Sequence, residues 1–166
     1  MNTRQIIVDA NDKVIGHKLR PALTHDDIYR VTSLWVTNAK GEVLLAQRKW
    51  TKPNDPGKWG PAVAGTVDEG DSYETSMLKE AAEEIGLVGF KLALGPKYLI
   101  DTGIQRFFCQ WFTVLVDKDI ADFTIQEEEV EAIRWISIDE LVKDLEAHGE
   151  QYIPLLMEDL EKLGAI

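Results

Sequence analysis

Two periodicities divide the chain: short strand-length runs of alternating or continuous apolar residues, and segments in which apolar residues recur every three or four positions. Residues 5–8 and 14–19 are of the first kind, and Asp9, Ala10, Asn11 and Asp12 between them favour a turn, so a small N-terminal hairpin is expected. Residues 31–37 and 43–47 flank a second turn signal at 38–41 that ends in Gly41, which predicts another hairpin. Residues 50–60 are rich in Lys, Pro, Gly and Asn and read as an exposed loop, with 62–64 as a short strand after it. Further strands are expected at 90–94, 98–101 and 106–116, the last being the longest apolar run and a candidate for the centre of the sheet. An acidic stretch at 126–131 leads into a strand ending near Trp135 and Ile136. Ser137 or Asp139 then caps a helix to about Ala147, and Pro154 stands near the first turn of a final amphipathic helix carrying Leu155, Leu156, Leu160 and Leu163. Strands between helices in this order predict an α/β protein, an α/β/α sandwich with a mixed sheet and an added N-terminal β-hairpin.

The clearest helical pattern runs from Ser72 to Ile85, where Met77, Leu78, Ala81, Ala82 and Ile85 mark an apolar face and no Pro or Gly intervenes. Asp71 or Ser72 is its N-cap, and Gly86 suits the position just past its last turn. Glu80, Glu83 and Glu84 are spaced by three and four residues and therefore project side by side. Like charges so placed cost on the order of a few tenths of a kcal/mol per pair unless a cation lies between them. A solvated acidic face is the plain reading of three such glutamates, and a site for a hard divalent cation, Mg²⁺ or Mn²⁺, is the functional one.

Composition narrows the classes. The 166 residues suit one domain, residues 1–166, and 45% hydrophobic with 28% charged residues is ordinary for a globular protein. A formal charge of −11 argues against loose binding to nucleic acid, and it means that an anionic phosphate substrate needs metal to bridge it to an acidic site. Cys109, the single cysteine, lies in an apolar run and reads as a core thiol. No apolar run reaches membrane-spanning length and the start lacks the apolar stretch of a signal peptide, so a cytoplasmic protein is expected. The N-terminal hairpin is a candidate surface for a homodimer. His17, His25 and His148 carry no ligand spacing.

Gly65, Glu80, Ala81, Glu83, Glu84, Gly86 and Leu87 together resemble the Nudix box: Gly, five residues, Glu, seven residues, Arg-Glu, an aliphatic, any residue, Glu-Glu, any residue, Gly, an aliphatic. Asp71 stands where the family has Glu, and Lys79 where it has Arg, so both positions keep their charge. The resemblance to this MutT-like family places the box at residues 65–87, with residues 1–29 as an extension, and implies the Nudix sandwich fold and pyrophosphatase chemistry. It further implies that Gly65 shapes the loop at the substrate site, that Glu80, Glu83 and Glu84 bind Mg²⁺ (or Mn²⁺), and that Glu80 orients or deprotonates the attacking water, with Lys79 steering it. A fourth carboxylate comes in the family from the segment before the last core strand; Glu129 is the first choice here, with Glu128 and Glu131 behind it and a solvated acidic loop as the plain reading. Arg48, at a strand end, is a candidate phosphate ligand, a surface salt bridge being equally open. Trp50, Trp59, Tyr98 and Trp111 are candidates to stack on a base but read first as core or rim packing.

The hairpin, the segment ending in Arg20, and Tyr29-Arg30-Val31 are similar to the branch related to isopentenyl-diphosphate isomerase. Isomerases have a cysteine just before the box, where this chain reads Ala62-Val63-Ala64, and histidines at a metal site, where this chain offers at most His25. The expectation is therefore a Mg²⁺-dependent hydrolase of small-molecule diphosphates, cleaving a nucleoside diphosphate linked to another moiety. An isomerase-like enzyme and a catalytically weak nucleotide- or metabolite-binding module, the latter motivated by Asp71 and Lys79, stand as alternatives.

Overall fold

The computed structural model describes residues 3–166, so the first two residues of the expected N-terminal extension lie outside it. In chain order it consists of β1 (Arg4–Val8), β2 (Val14–Leu19), β3 (Ile28–Thr37), β4 (Glu42–Arg48), β5 (Trp59–Pro61), β6 (Val63–Thr66), α1 (Tyr73–Ile85), β7 (Ala93–Asp101), β8 (Arg106–Leu115), β9 (Val130–Ser137), α2 (Ile138–His148) and α3 (Leu156–Lys162). Short 3₁₀ turns occupy Arg20–Ala22, Ile120–Asp122 and Gly149–Gln151.

The sheet is organised around β3. One edge of it pairs in parallel with β8 from Ile28↔Arg106 to Thr37↔Leu115. Its antiparallel partners follow one another along the strand: β1 at Ile28 and Tyr29, β6 at residues 31–34, and β4 at Thr37 alone. The hairpin expected between β3 and β4 is therefore only a turn. Beyond Thr37↔Val43 the two strands diverge, and β4 pairs instead with β9 and β5. Residues 90–94 and 98–101 do not form separate strands either; β7 runs through both regions from Ala93, with a bulge between Leu94 and Lys97.

Period-two alternation assigns the two faces. Leu34, Val36, Leu44, Phe112 and Val114 face one core with Met77, Ala81 and Ile85 of α1. Trp35, Val43, Leu45, Cys109 and Trp111 face the other, packed by Leu141 of α2 and Leu156 and Leu160 of α3. Each large side chain so buried stabilises the fold by about 1.5–3 kcal/mol, which makes these two layers the main source of cohesion. The result is a mixed sheet between helices, an α/β/α sandwich. Leu78, expected on the buried face of α1, is 39% exposed; the buried stripe is the narrower Met77, Ala81, Ile85 row, joined by Ser76.

The N-terminal hairpin packs on the α1 side through Ile6 and Val8 against Ile28 and Val67. Asp12, in its turn at φ 62°, accepts from Arg30 Nε at 2.7 Å, from the Tyr73 hydroxyl at 3.1 Å and from Lys97 Nζ at 2.5 Å. Burial opposes ionisation of this carboxyl, but Lys97 and Arg30 outweigh it and hold the group below the usual carboxylate range. Gln5 donates to Asp68 and Arg4 to Glu69, so β1 also braces the loop that precedes α1. No helix among the described residues is long and apolar enough to cross a membrane.

Candidate active site

Local chemistry places the acidic helix. Ser72 accepts from the Thr75 backbone N–H while the Thr75 side chain accepts from the Ser72 N–H, a capping box that fixes the first turn of α1. Gly86 ends the helix in the left-handed conformation at φ 66°. Between these stops Glu80, Glu83 and Glu84 all reach one cavity of about 220 Å³, whose wall also includes Gly65, Arg20, Lys52 and Glu129. The acidic segment is tied to the helix end by backbone bonds from Gln126 N to Glu84 O and from Thr124 N to Ile85 O. This brings Glu129 to the same place, where it accepts a hydrogen bond from Lys52 Nζ. Glu128 does not line the cavity, and Glu131 pairs with Lys49 at 3.0 Å.

Gly65 works differently from a loop former. It lies in extended backbone within β6, opposite Thr32, so its left-handed freedom is not used. Its lack of a side chain is used instead, because a Cβ there would sit 2.7 Å from Glu80 Cδ and 2.9 Å from Oε1. Lys79 is exposed and stands outside the cavity, acting on Glu80 only through space. Arg48 is not in the wall of that cavity but lines an adjoining hollow together with Glu84, Glu129 and Lys52, and its Nε donates to the Asn54 carbonyl at 3.0 Å. Trp50, 65% exposed, covers Gly57, and Trp59 stacks under Arg134 at 4.3 Å. Tyr98 is bonded to Asp159 and Trp111, and of the four aromatic candidates Trp111 alone lines one of the cavities near the carboxylates. Arg20 and Lys52 carry no sequence signal for a place in this cavity. Arg20 follows β2 directly and Lys52 sits in an irregular loop, so no residue spacing connects either to α1.

Crowding shapes the electrostatics. Burial, then the charge of Glu83, pushes Glu80 up to about 7. Burial, then Glu80 and Glu129, pushes Glu84 up to about 8, against the Ala64 backbone N–H bond and the Lys52 charge, which favour the ionised form. Among the described residues no three acidic, His or Cys side chains are placed together closely enough to hold a metal ion as they stand. The donor set nonetheless fits a hard divalent ion: its oxygens are the right chemistry, its carboxylates repel one another, and Mg²⁺ in particular is held by few carboxylates with water and phosphate completing its shell.

A pH dependence follows. In the unfolded chain these groups titrate near about 4.3, so between that value and about 8 the native state holds more protons than the unfolded one, and metal-free protein loses stability as pH rises through the window. Metal binding needs the ionised forms. The gain in Tm on adding Mg²⁺ should therefore be larger near pH ~8.5 than near pH ~6, read by thermal unfolding with and without chelator; a gain independent of pH would place the ion elsewhere.

The NUDIX domain family matches residues 28–156. An uncharacterized Nudix hydrolase of Streptomyces coelicolor is 30% identical over 78% of this chain and 70% of its own length. An isopentenyl-diphosphate Delta-isomerase of Corynebacterium diphtheriae is 24% identical over 97% of this chain and 94% of its own. In fold, the chain is similar to the crystal structure of DR0079 from Deinococcus radiodurans, with a TM-score of 0.84, 21% identity and coverage of 96% of this chain and 98% of that one. A family match across most of the chain, with hydrolases and isomerases both among its relatives, makes this protein a member of the Nudix superfamily related to the isopentenyl-diphosphate isomerases.

Proposed function

We propose that this protein is a divalent-metal-dependent hydrolase cleaving a diphosphate bond in a nucleoside diphosphate linked to another moiety. The observation that carries the reading is the single cavity in which Glu80, Glu83, Glu84 and Glu129 meet the cations Arg20 and Lys52. Glu80, Glu83 and Glu84 would hold the ion, Mg²⁺ or in its place Mn²⁺, which when bound supplies a Lewis acid for the diphosphate and makes water more acidic. Arg20 and Lys52 offer the positive charge that a phosphate needs in a chain of net charge −11. Glu80, in the same cavity, is placed so that its carboxylate could take a proton from water once the site is loaded. The water oxygen then bonds to phosphorus, the bridging P–O bond breaks, and a phosphate or nucleotide leaves.

The isomerase reading is weakened by the thiol that is present. Cys109 is buried, donates to Ser33 Oγ at 3.4 Å, and is pushed up to about 12 by burial, so it is no thiolate at neutral pH. The test is release of phosphate or nucleotide from a panel of nucleoside diphosphate conjugates, nucleoside triphosphates and isoprenoid diphosphates, with Mg²⁺ and with Mn²⁺. Metal-dependent cleavage that disappears in Glu83→Gln is expected; silence across the panel, with tight binding of a conjugate, would make the protein a binding module.

A further inference from the structure

On the hairpin side of the carboxylate cavity lies a groove of about 350 Å³, and Arg20 and Thr66 belong to both. The rest of its wall is formed by Thr3, Gln5 and Asp68, with Leu19 and Pro21 as its apolar members. Apart from Thr66 and Asp68 these residues precede Ile28, so the groove is built mainly by the extension and not by the segment that matches the family. Gln5 of β1 is 3% exposed, an unusual burial for an amide side chain. Its Nε2 donates to Asp68 Oδ1 at 2.7 Å. That bond fixes which way the amide points, because the reversed amide would set its oxygen against the carboxylate. Gln5 Oε1 is thereby left buried with no hydrogen-bond partner among the described residues. Arg20 donates to Thr66 Oγ1 at 3.4 Å, a long bond that leaves its other N–H groups to a ligand.

A buried oxygen without a donor is costly, so the group that suits this groove brings one. The other walls narrow its chemistry. An anionic phosphate would meet Asp68, and a cation would meet Arg20. No aromatic side chain lines the groove to stack on a base. Leu19 and Pro21 offer little to a hydrocarbon chain, which would also leave Gln5 Oε1 unpaired. A neutral polyhydroxyl group answers every wall, since a hydroxyl can donate to Gln5 or Asp68 and accept from Arg20 or Thr66. Glu80 feels the charge of Asp68, which puts the groove next to where a diphosphate would lie at the carboxylates.

We infer that this groove is the subsite for a sugar, the moiety linked to the nucleoside diphosphate, and that Gln5 is its specificity-determining residue. The assignment rests on the hydrolase reading for where the diphosphate lies, and its test does not depend on turnover. Analogues with a methylene in place of the bridging oxygen have no bridging P–O bond to lose. Calorimetry on the full chain with Mg²⁺ compares analogues ending in glucose or ribose with those ending in a methyl ester, for adenosine, cytidine, guanosine and uridine. With at least one base, a sugar analogue should bind about tenfold or more tightly than its methyl counterpart, the worth of one or two net hydrogen bonds. Gln5→Met, close in size and suited to a buried position, should remove that advantage and leave affinity for the methyl analogue as it was. Equal binding of sugar and methyl analogues, binding of none, or an advantage that survives Gln5→Met overturns the inference. So does loss of affinity for the methyl analogue in Gln5→Met, which would make Gln5 a structural residue only. If metal-dependent cleavage of diphosphates persists in those cases, the hydrolase reading stands without the subsite. A sugar advantage abolished by Gln5→Met, in a protein that cleaves none of the oxygen-bridged conjugates, keeps the subsite and removes the hydrolase.

Discussion

Glu84→Gln is expected to lower metal-dependent diphosphate cleavage by at least about a thousandfold, the several kcal/mol that a correctly held cation contributes to the transition state, while raising the thermal stability of the metal-free protein near pH ~8. Both effects have the same origin. Glu84 sits on the last turn of α1 in a cavity where burial and the charges of Glu80 and Glu129 oppose its ionisation. The amide is neutral, nearly equal in size and still able to accept from the Ala64 N–H, so it relieves the repulsion while removing a proposed metal ligand. Steady-state rates with Mg²⁺, together with melting curves in chelator, separate this outcome from simple misfolding, which would lower both. A variant within about tenfold of the parent rate would take Glu84 out of the site.

Gly65→Ala should cost about a hundredfold in kcat/KM, with a fold penalty of only about 1–3 kcal/mol from overpacking. Alanine is at ease in the extended backbone of β6, so the strand itself does not resist the change. The new methyl would meet the Glu80 carboxylate at 2.7 Å, and the side chain must swing away from where it shares the cavity with Glu83 and Glu84. A shift of this kind at a reacting group is what costs rate without unfolding a protein. The measurements are kcat, KM and the Mg²⁺ concentration for half-maximal activity, the last of which should rise. Activity near that of the parent would show that Glu80 tolerates displacement and is neither ligand nor base.

The parts of the fold readable in advance are those whose causes are local. The caps at Ser72 and Gly86 and the helix between them depend on residues within a few positions of one another, and so does the Ser137 cap of α2, where Glu140 completes the box. Strand pairing has no such local cause. Residues 38–41 do turn the chain, yet a turn specifies only reversal, and β3 is claimed along its length by β8, far away in sequence. The site divides the same way. Glu80, Glu83 and Glu84 are legible as one helix face, and the resemblance to a family points to Glu129, but Arg20 and Lys52 come from separate segments that only tertiary packing brings near. Gly65 is legible as a required glycine but its reason is not, because a close approach to Glu80 cannot be distinguished in sequence from a turn.

The bracing of the box by the N-terminal hairpin carries the physical unit beyond the residues of the family match. The family match starts at Ile28, yet a chain shortened to that residue would leave Arg30 and Lys97 without the acid they share, Tyr73 without its acceptor, and Val67 without the cover of Ile6 and Val8. All of these groups adjoin the loop and first turn that aim α1. Substitutions in the hairpin would then tune the acidic helix from outside the carboxylate cavity, which gives an engineer a control on its aim that leaves the carboxylates themselves unchanged.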